Sequence, residues 1–150
     1  MGRVLALDMG ERRIGLAVSD PDGRLAIPLR ILERTNNDGA DMRAIAEIAR
    51  AEGVDTLLVG NPLSMTGQEG PQSQRVRSFG HRLAQTASLP LVLWDERLSS
   101  AEARRFAPAS RRGQKRRGGR REPIDDVAAA LVLQSYLDRL GAGRTPPSTS

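Results

Sequence analysis

The fold is decided by the stretch Arg3-Val-Leu-Ala-Leu-Asp8-Met-Gly10, which is followed by Glu11-Arg-Arg-Ile14-Gly15-Leu-Ala-Val-Ser-Asp20. The continuous apolar run from Val4 to Leu7 is typical of a strand that is buried on both faces. A second apolar run, Ile14 to Val18, follows after a short polar turn, so we expect the two runs to pair as a hairpin. Asp8 therefore ends a central strand, a common place for the active sites of α/β sheets. Taken alone, Asp8 can equally cap the turn that follows, with Gly10 and Gly15 only shaping that turn.

The remaining apolar runs predict three more strands and four helices. Asp20-Pro-Asp-Gly23 is a turn signal that leads into a third strand, about 25–32, and Pro28 restricts that strand to the edge of the sheet. Gly53 and Gly141 are expected to end the first and last helices, and the pattern Ser99-Ser-Ala-Glu102 is expected to begin the third. The expected bounds are about 54–60 and 91–94 for the later strands, and about 41–52, 71–86, 99–106 and 124–140 for the helices.

This order of elements predicts an α/β fold. Strands 1 to 3 form an antiparallel meander, and two further strands, each preceded by a helix, run parallel to the first. The result is a mixed five-stranded sheet flanked by helices on both faces. We expect one domain over residues 1–141, which is long enough for a sizeable core, and a disordered tail over 142–150.

Composition limits the classes of function. The chain has no cysteine, which excludes disulfides, thiolate-bound zinc and thiol catalysis and suits a reducing compartment. The one histidine, His81, falls outside the apolar stripe of its helix, so we expect it to be solvated rather than catalytic. No run reaches the length of a membrane span, and the N-terminus lacks the apolar core of a signal peptide. A cytoplasmic location without membrane contact is therefore expected.

Positive charge is concentrated in one segment. The net charge is +5, and residues 111–121 contain seven basic side chains and no acid. We expect residues 108–123 to form a mobile Arg/Gly-rich loop, which either holds a nucleic-acid backbone or is a solvated linker. Aromatic residues are few, so contact through phosphates is favoured over stacking. The candidate nucleic-acid contacts are Arg97, Arg111, Arg112, Lys115, Arg116, Arg117, Arg120 and Arg121.

Acidic residues recur where apolar elements begin or end. Asp8 ends the first strand, Asp95-Glu96 follows the strand over 91–94, and Asp125-Asp126 begins the last helix. If the two strands are parallel neighbours, their carboxyl ends lie side by side. Oxygen ligands without His or Cys suit Mg²⁺ or Mn²⁺, and two such ions can activate a water and stabilise the leaving oxygen of a phosphodiester. Without metal, one of the crowded carboxylates is expected to hold a proton.

The residues alone leave the choice within each acidic pair open. Asp95 or Glu96 can instead pair with Arg97, and Asp125 or Asp126 can cap the helix or face its dipole. Side-chain alternation allows only one of Asp95 and Glu96 to point towards Asp8. The residues expected to shape the cleft around the acids are Gly10, Gly15, Gly60 and Pro62.

Four ordered motifs resemble the bacterial YqgF/RuvX family over nearly the whole chain. They are Leu5-Ala-Leu-Asp8-Met-Gly10 with Ile14-Gly15-Leu-Ala-Val, Val59-Gly60-Asn61-Pro62-Leu63 with Gly67, Asp95-Glu-Arg-Leu-Ser-Ser100, and Ile124-Asp125-Asp-Val-Ala-Ala-Ala-Leu-Val-Leu-Gln134. The chain departs from the family pattern at Asn61, where an apolar residue is more usual, and at Ser99-Ser100, which replaces a Thr pair. Its basic loop is also longer than the family's.

The resemblance implies an RNase H-like fold, as in RuvC-type Holliday junction resolvases, and a nuclease that matures the 5′ end of pre-16S rRNA. By the family pattern, Asp8, Glu96 and Asp125 are the catalytic and metal-binding acids, with Asp95 and Asp126 as further candidate ligands. The implied cofactors are two Mg²⁺ or Mn²⁺ ions. The implied partners are precursor rRNA and the ribosomal subunit, with the chain acting as a monomer or a homodimer.

Other functions remain open at this stage. Resolution of branched DNA uses the same chemistry but needs a dimer that presents two sites. A non-catalytic RNA-binding role in ribosome assembly is also compatible with the fold, since fold does not fix function. An actin-like ATPase is disfavoured, because such enzymes need two domains of this kind and the chain contains no P-loop.

Overall fold

A computed structural model describes residues 2–98 and 124–143, apart from the side chains of 124–126, 142 and 143. The strands are β1 (Arg3–Met9), β2 (Arg13–Ser19), β3 (Ala26–Glu33), β4 (Val54–Asn61) and β5 (Leu91–Asp95). The helices are α1 (Asp38–Glu52), α2 (Pro71–Ala87) and α3 (Ile124–Gly143). Residues 96–98 are also helical.

The five strands form one mixed sheet in the order β3-β2-β1-β4-β5. β1 pairs antiparallel with β2 and β2 with β3, whereas β4 runs parallel to β1 and β5 runs parallel to β4. The predicted architecture is confirmed, and β3, which contains Pro28, is an edge strand. β1 and β5 run parallel but are not adjacent, because β4 lies between them.

Each face of the sheet is covered by helices. Leu5 and Leu7 belong to a core with α1 and α2, whereas Val4 and Ala6 belong to a second core with α3. Since side chains alternate along a strand, Asp8 shares the α3 face with Val4 and Ala6. The α3 side chains buried in the second core are Ala129, Val132, Leu133 and Leu137.

Several helix ends differ from the prediction for local reasons. α1 begins at Asp38 rather than near 41, because the side chain of Asn37 accepts a hydrogen bond from the N–H of Ala40 and caps the helix. It ends at Gly53 as predicted, in the left-handed conformation with φ 67°. α2 matches the prediction closely, with His81 exposed on its surface.

At the other end of the chain, α3 continues to Gly143, so Gly141 does not end it and residues 142 and 143 are helical rather than part of a tail. The predicted third helix, 99–106, lies outside the described residues, and residues 96–98 before it are helical. Residues 99–123 and 144–150, which include the predicted basic loop and most of the predicted tail, lie outside the described part of the chain. Among the described helices, none has the length and apolar character that crossing a membrane requires.

Candidate active site

Asp8 and Glu96 meet at the carboxyl edge of the sheet. Their side chains share a hydrogen bond, and both are half-buried. Burial, followed by the charge of Asp8 and the hydrogen bond with it, raises the pKa of Glu96 from its ordinary value of 4.5 to about 7. Two carboxylates in contact therefore hold one proton between them near neutral pH.

Gly60 of β4 lies between the two acids and makes their contact possible. Val59 pairs with Leu7 of β1, and Gly60 pairs with Trp94 of β5, so Gly60 is level with Asp8 along the sheet. A Cβ atom at position 60 would lie 2.7 Å from Oε2 of Glu96 and 3.0 Å from its Cγ. Glu96 thus crosses β4 in the space that a side chain at 60 would occupy.

A second glycine flanks Asp8 on its other side. Gly15 of β2 is the register partner of Asp8, and it is fully enclosed in the sheet. Because Gly15 and Gly60 both lack side chains, neither neighbouring strand covers the carboxylate of Asp8 from this face. Within the described part of the chain, the two glycines leave space beside the carboxylate of Asp8.

Asp95 has a different role from its neighbour Glu96. Its carboxylate accepts hydrogen bonds from Nε of Arg97 at 3.0 Å and from Nη2 at 2.6 Å, and from the backbone N–H of Arg97 at 3.0 Å. Hydrogen bonding to Arg97 holds the pKa of Asp95 below its usual value. The backbone contact is that of a helix N-cap, which explains why the helix begins at Glu96.

Arg97 also joins this helix to the loop that follows β4. Its Nη1 donates to the carbonyl oxygen of Met65 at 3.1 Å. Gly67, with φ +85°, lies beside the same guanidinium group. At its far end the loop is anchored by a hydrogen bond of 2.6 Å between Ser73, which is buried, and Oδ1 of Asn61. Arg97 is therefore engaged in holding protein groups in place.

Gln134 fastens α3 to the sheet. The side-chain amide of Gln134 bonds to the carbonyl of Arg24 at 2.8 Å and to the N–H of Ala26 at 2.9 Å, near the beginning of β1. The helix axis covers about 14 Å from Gln134 to Asp125. This length is close to that of β1 from Val4 to Asp8, about 13 Å. The backbone of Asp125 and Asp126 is described, but their side chains are not.

A cation fits the chemistry of this pair. Within residues 2–98 and the described side chains of α3, no group of three or more His, Cys, Asp or Glu is close enough to hold a metal ion. Asp8 and Glu96 supply two carboxylates, and any third acid must come from outside that set. Their donors are all oxygen, and a divalent cation would replace the shared proton, as expected of a Mg²⁺ or Mn²⁺ site.

The other predicted site residues are placed as follows. Gly10 closes the tight turn between β1 and β2, where its N–H donates to the carbonyl of Arg13 at 2.8 Å. A Cβ there would come 2.9 Å from that oxygen. Pro62 begins the loop held by Arg97. The basic residues of 111–121 lie outside the described residues.

Sequence reasoning missed a group of arginines beside the end of β1. Arg34, Arg75 and Arg82 line a cleft of about 510 Å³ on the face opposite α3. The available signal was the spacing of Arg75 and Arg82, seven residues apart, which places two side chains on one face of a helix. The spacing of Arg75 and Arg82 does not indicate that this face of α2 lies beside the end of β1.

The fold is shared with a known class of nucleic-acid enzymes. The chain is similar to a Thermus thermophilus RuvC solved in complex with a Holliday junction substrate, with a TM-score of 0.67 and 13% identity over 98% of this chain and 99% of that one. A second T. thermophilus RuvC structure matches with a TM-score of 0.58 and 16% identity, over 92% and 96% of the two chains. The protein therefore has a RuvC-like fold of the RNase H type.

Sequence similarity identifies the family within this class. The family model described as "RuvX: Holliday junction resolvase" matches residues 2–139, and the chain belongs to this family. A relative from Desulforudis audaxviator is 41% identical over 95% of this chain and 98% of its own length. One from Moorella thermoacetica is 42% identical over 93% and 96%. Both are named "Putative pre-16S rRNA nuclease".

Proposed function

We propose that the protein is a divalent-metal-dependent nuclease that hydrolyses phosphodiester bonds and processes the 5′ end of precursor 16S rRNA in the cytoplasm. The observation that carries this proposal is the contact between Asp8 and Glu96 across Gly60. Two carboxylates in contact repel each other when both are ionised, and a divalent cation bound between them would relieve that repulsion.

The chain's own acids would hold the metal. Asp8 would be a ligand from the end of β1, where it lies between two glycines, and Glu96 would bind the metal once it has lost the shared proton. Asp125 would complete the set from the start of α3, with its neighbour Asp126 as the alternative. When bound, two Mg²⁺ or Mn²⁺ ions would lower the pKa of an attacking water and stabilise the leaving oxygen.

In this proposal Asp95 holds Glu96 in place rather than binding the metal. Its two oxygens are occupied by Arg97, and side-chain alternation directs it to the face opposite Asp8. It caps the helix that begins with Glu96 and so fixes the backbone from which Glu96 reaches across β4. Arg97 contributes to the same arrangement through Met65.

The choice of precursor rRNA over branched DNA is supported by the relatives that are about 40% identical and named for pre-16S rRNA. The RuvC complex with a Holliday junction is 13% identical to this chain, which supports the fold alone. The basic residues of 111–121 are proposed to hold the flanking RNA backbone, and the partner is the precursor of the small ribosomal subunit.

The proposal is tested by cleavage of labelled RNA. Purified protein is incubated with a precursor 16S rRNA 5′ fragment or a four-way DNA junction, in Mg²⁺, Mn²⁺ or EDTA. Asp8→Asn, Glu96→Gln and Asp125→Asn are compared with Asp22→Asn, which removes an exposed carboxylate from the turn after β2. We expect metal-dependent cutting of the RNA that is lost in the first three variants and kept in Asp22→Asn. Cutting that persists in Asp8→Asn, or RNA binding without cutting, would contradict the proposal.

A further inference from the structure

The arginine-lined cleft lies at the same edge of the sheet as the acids but on the other face. Its lining includes Met9 and Gly10, which directly follow Asp8 in the chain, together with the first turns of α2. Its volume is about 510 Å³. The end of β1 therefore connects the cleft with Asp8.

Arg34 forms a fixed cationic wall of this cleft. Its Nη1 donates to the carbonyl of Gly10 at 2.8 Å, and its Nη2 donates to Oδ1 of Asp38 at 3.3 Å. The guanidinium carbon lies 5.4 Å from the centre of the Phe79 ring, in a cation–π contact. Because Gly10 is two residues from Asp8, this charge is held at a defined place relative to the acids.

Arg75 and Arg82 supply cations that are available to a ligand. Arg82 has only a marginal ion pair with Asp38, at 4.0 Å, and its side chain is 56% exposed. Arg75 is exposed, and within the described part of the chain its side chain makes no hydrogen bond or ion pair. Glu11 and Asp38 are the acids of the lining, so three arginines face two carboxylates. Arginine side chains recognise phosphate oxygens through paired N–H groups.

The cleft is suited to phosphates rather than to bases. Phe79 is buried under Arg34 and offers no free ring face for stacking. Gln72, Gln74 and Ser78 add polar groups to the lining, which are typical of contacts to a sugar–phosphate backbone. The lining also includes Met9 and Gly10, so the cleft reaches the end of the strand that carries Asp8.

We propose that this cleft binds the phosphate backbone of the nucleic-acid strand that is cut at the Asp8–Glu96 site, a few nucleotides from the scissile bond. This inference rests on the proposed nuclease function, because that function is what directs the bound nucleic-acid strand to the acids. It adds a binding surface formed by α2 and the segment before α1, on the face opposite α3. Arg75 and Arg82 are its contact residues, and Arg34 forms its inner wall.

The test measures binding in EDTA, where no metal-dependent cleavage occurs. Fluorescence anisotropy follows labelled single-stranded RNA from the precursor 5′ region, and DNA of the same sequence, over a series of salt concentrations. The double variant Arg75→Gln/Arg82→Gln is compared with Arg50→Gln. Arg50 is an exposed arginine near the end of α1, at the opposite edge of the sheet, and it has no described partner. Thermal melting checks that each variant is folded.

We expect the double variant to bind RNA about tenfold more weakly and to lose about 1.4 from the slope of log affinity against log salt, which corresponds to about 0.7 per single-strand phosphate contact. Arg50→Gln should match the wild type. Equal loss for DNA would assign the cleft to the phosphate backbone of either nucleic acid, and a loss for RNA alone would assign it to RNA.

Unchanged affinity and slope in the double variant, or a loss as large in Arg50→Gln, would overturn the inference. The two proposals can fail separately. If the wild type binds RNA through Arg75 and Arg82 but never cuts it, the nuclease proposal is wrong and the binding cleft is supported. If the wild type cuts RNA and the double variant binds RNA normally, the nuclease proposal is supported and the binding cleft is wrong.

Discussion

The side chain of Glu96 lies against the backbone of Gly60, and a Cβ at position 60 would come 2.7 Å from Oε2 of that glutamate. This contact brings together an acid of β1 and the acid that follows β5, two strands that are not neighbours. β4 separates β1 from β5, and the absence of a side chain on β4 opens the path from Glu96 to Asp8. Gly60 is thus a determinant of the distance between the carboxylates.

Gly60→Ala should displace Glu96 and lower the rate of cleavage. The displacement needed is on the order of 1 Å, and misplacement of that size can cost about 10²-fold in rate. Steady-state cleavage of the precursor fragment measures the loss. Gly70→Ala is the matched control, because a Cβ there meets nothing within 4 Å. A Gly60→Ala enzyme with wild-type kcat would show that the position of Glu96 does not matter.

Glu96 should make the stability of the metal-free protein depend on pH. Because the folded pKa, about 7, lies above the ordinary 4.5, the folded state binds the proton more tightly than the unfolded state does. Stability contributed by that proton is present below about pH 4.5 and is lost as the pH rises to about 7. Relative to Glu96→Gln, the wild type should lose about 2 kcal/mol across this range, after allowance for solvent screening.

Urea unfolding in EDTA at a series of pH values measures this difference. Glu96→Gln keeps a hydrogen bond to Asp8 without the titration, so it should be the more stable protein near pH 8. If the stabilities of the two proteins change in parallel with pH, Glu96 does not share a proton with Asp8.

Metal binding should release a proton from the acid pair. Near pH 6.5 Glu96 is still largely protonated, and a cation that takes Asp8 and Glu96 as ligands must displace that proton. Titration calorimetry with Mn²⁺ in buffers of different ionisation enthalpy should show release of about one proton per site. Glu96→Gln should bind Mn²⁺ more weakly and release none. Tight binding without proton release would place the metal elsewhere.

Arg97→Lys separates two roles for this arginine. The structure engages its guanidinium with Asp95 and Met65, so the substitution should loosen the helix that begins at Glu96 and lower kcat several-fold, with KM for RNA nearly unchanged. Arg77→Lys, which alters a nearby surface ion pair with Glu69, is the control. A rise in KM at constant kcat would instead support a contact between Arg97 and the RNA backbone.

Much of the fold could be predicted from the sequence because its signals are local. Each signal limits the conformation of the segment that contains it, as do the apolar runs from Val4 and Ile14, the turn at Asp20 and the proline at 28. The start of α1 was missed because the cap at Asn37 depends on a side-chain contact that a pattern does not specify. The sequence also did not predict that β4 lies between β1 and β5, because tertiary packing decides which strands are neighbours in a sheet.

The candidate site could be predicted only in part for the same reason. Alternation showed that one of Asp95 and Glu96 would point towards Asp8, but the choice of Glu96 came from the family resemblance. An ion pair between Asp95 and Arg97 was one of the alternatives that the sequence left open. The path of Glu96 across Gly60 could not be predicted, because it depends on how three strands lie together. The cleft around Arg34 was not foreseen, because its arginines are brought together by the packing of α2 beside the end of β1.

The most direct test of the metal site is a crystal structure of the protein with Mn²⁺, using the anomalous signal of the ion. We predict an anomalous peak within bonding distance of a carboxylate oxygen of Asp8 and one of Glu96, with an acid from the start of α3 as a further ligand. The hydrogen bond between Asp8 and Glu96 should be replaced by bonds to the ion. Crystals in which Mn²⁺ binds elsewhere, while Asp8 and Glu96 remain hydrogen-bonded to each other, would contradict the central claim.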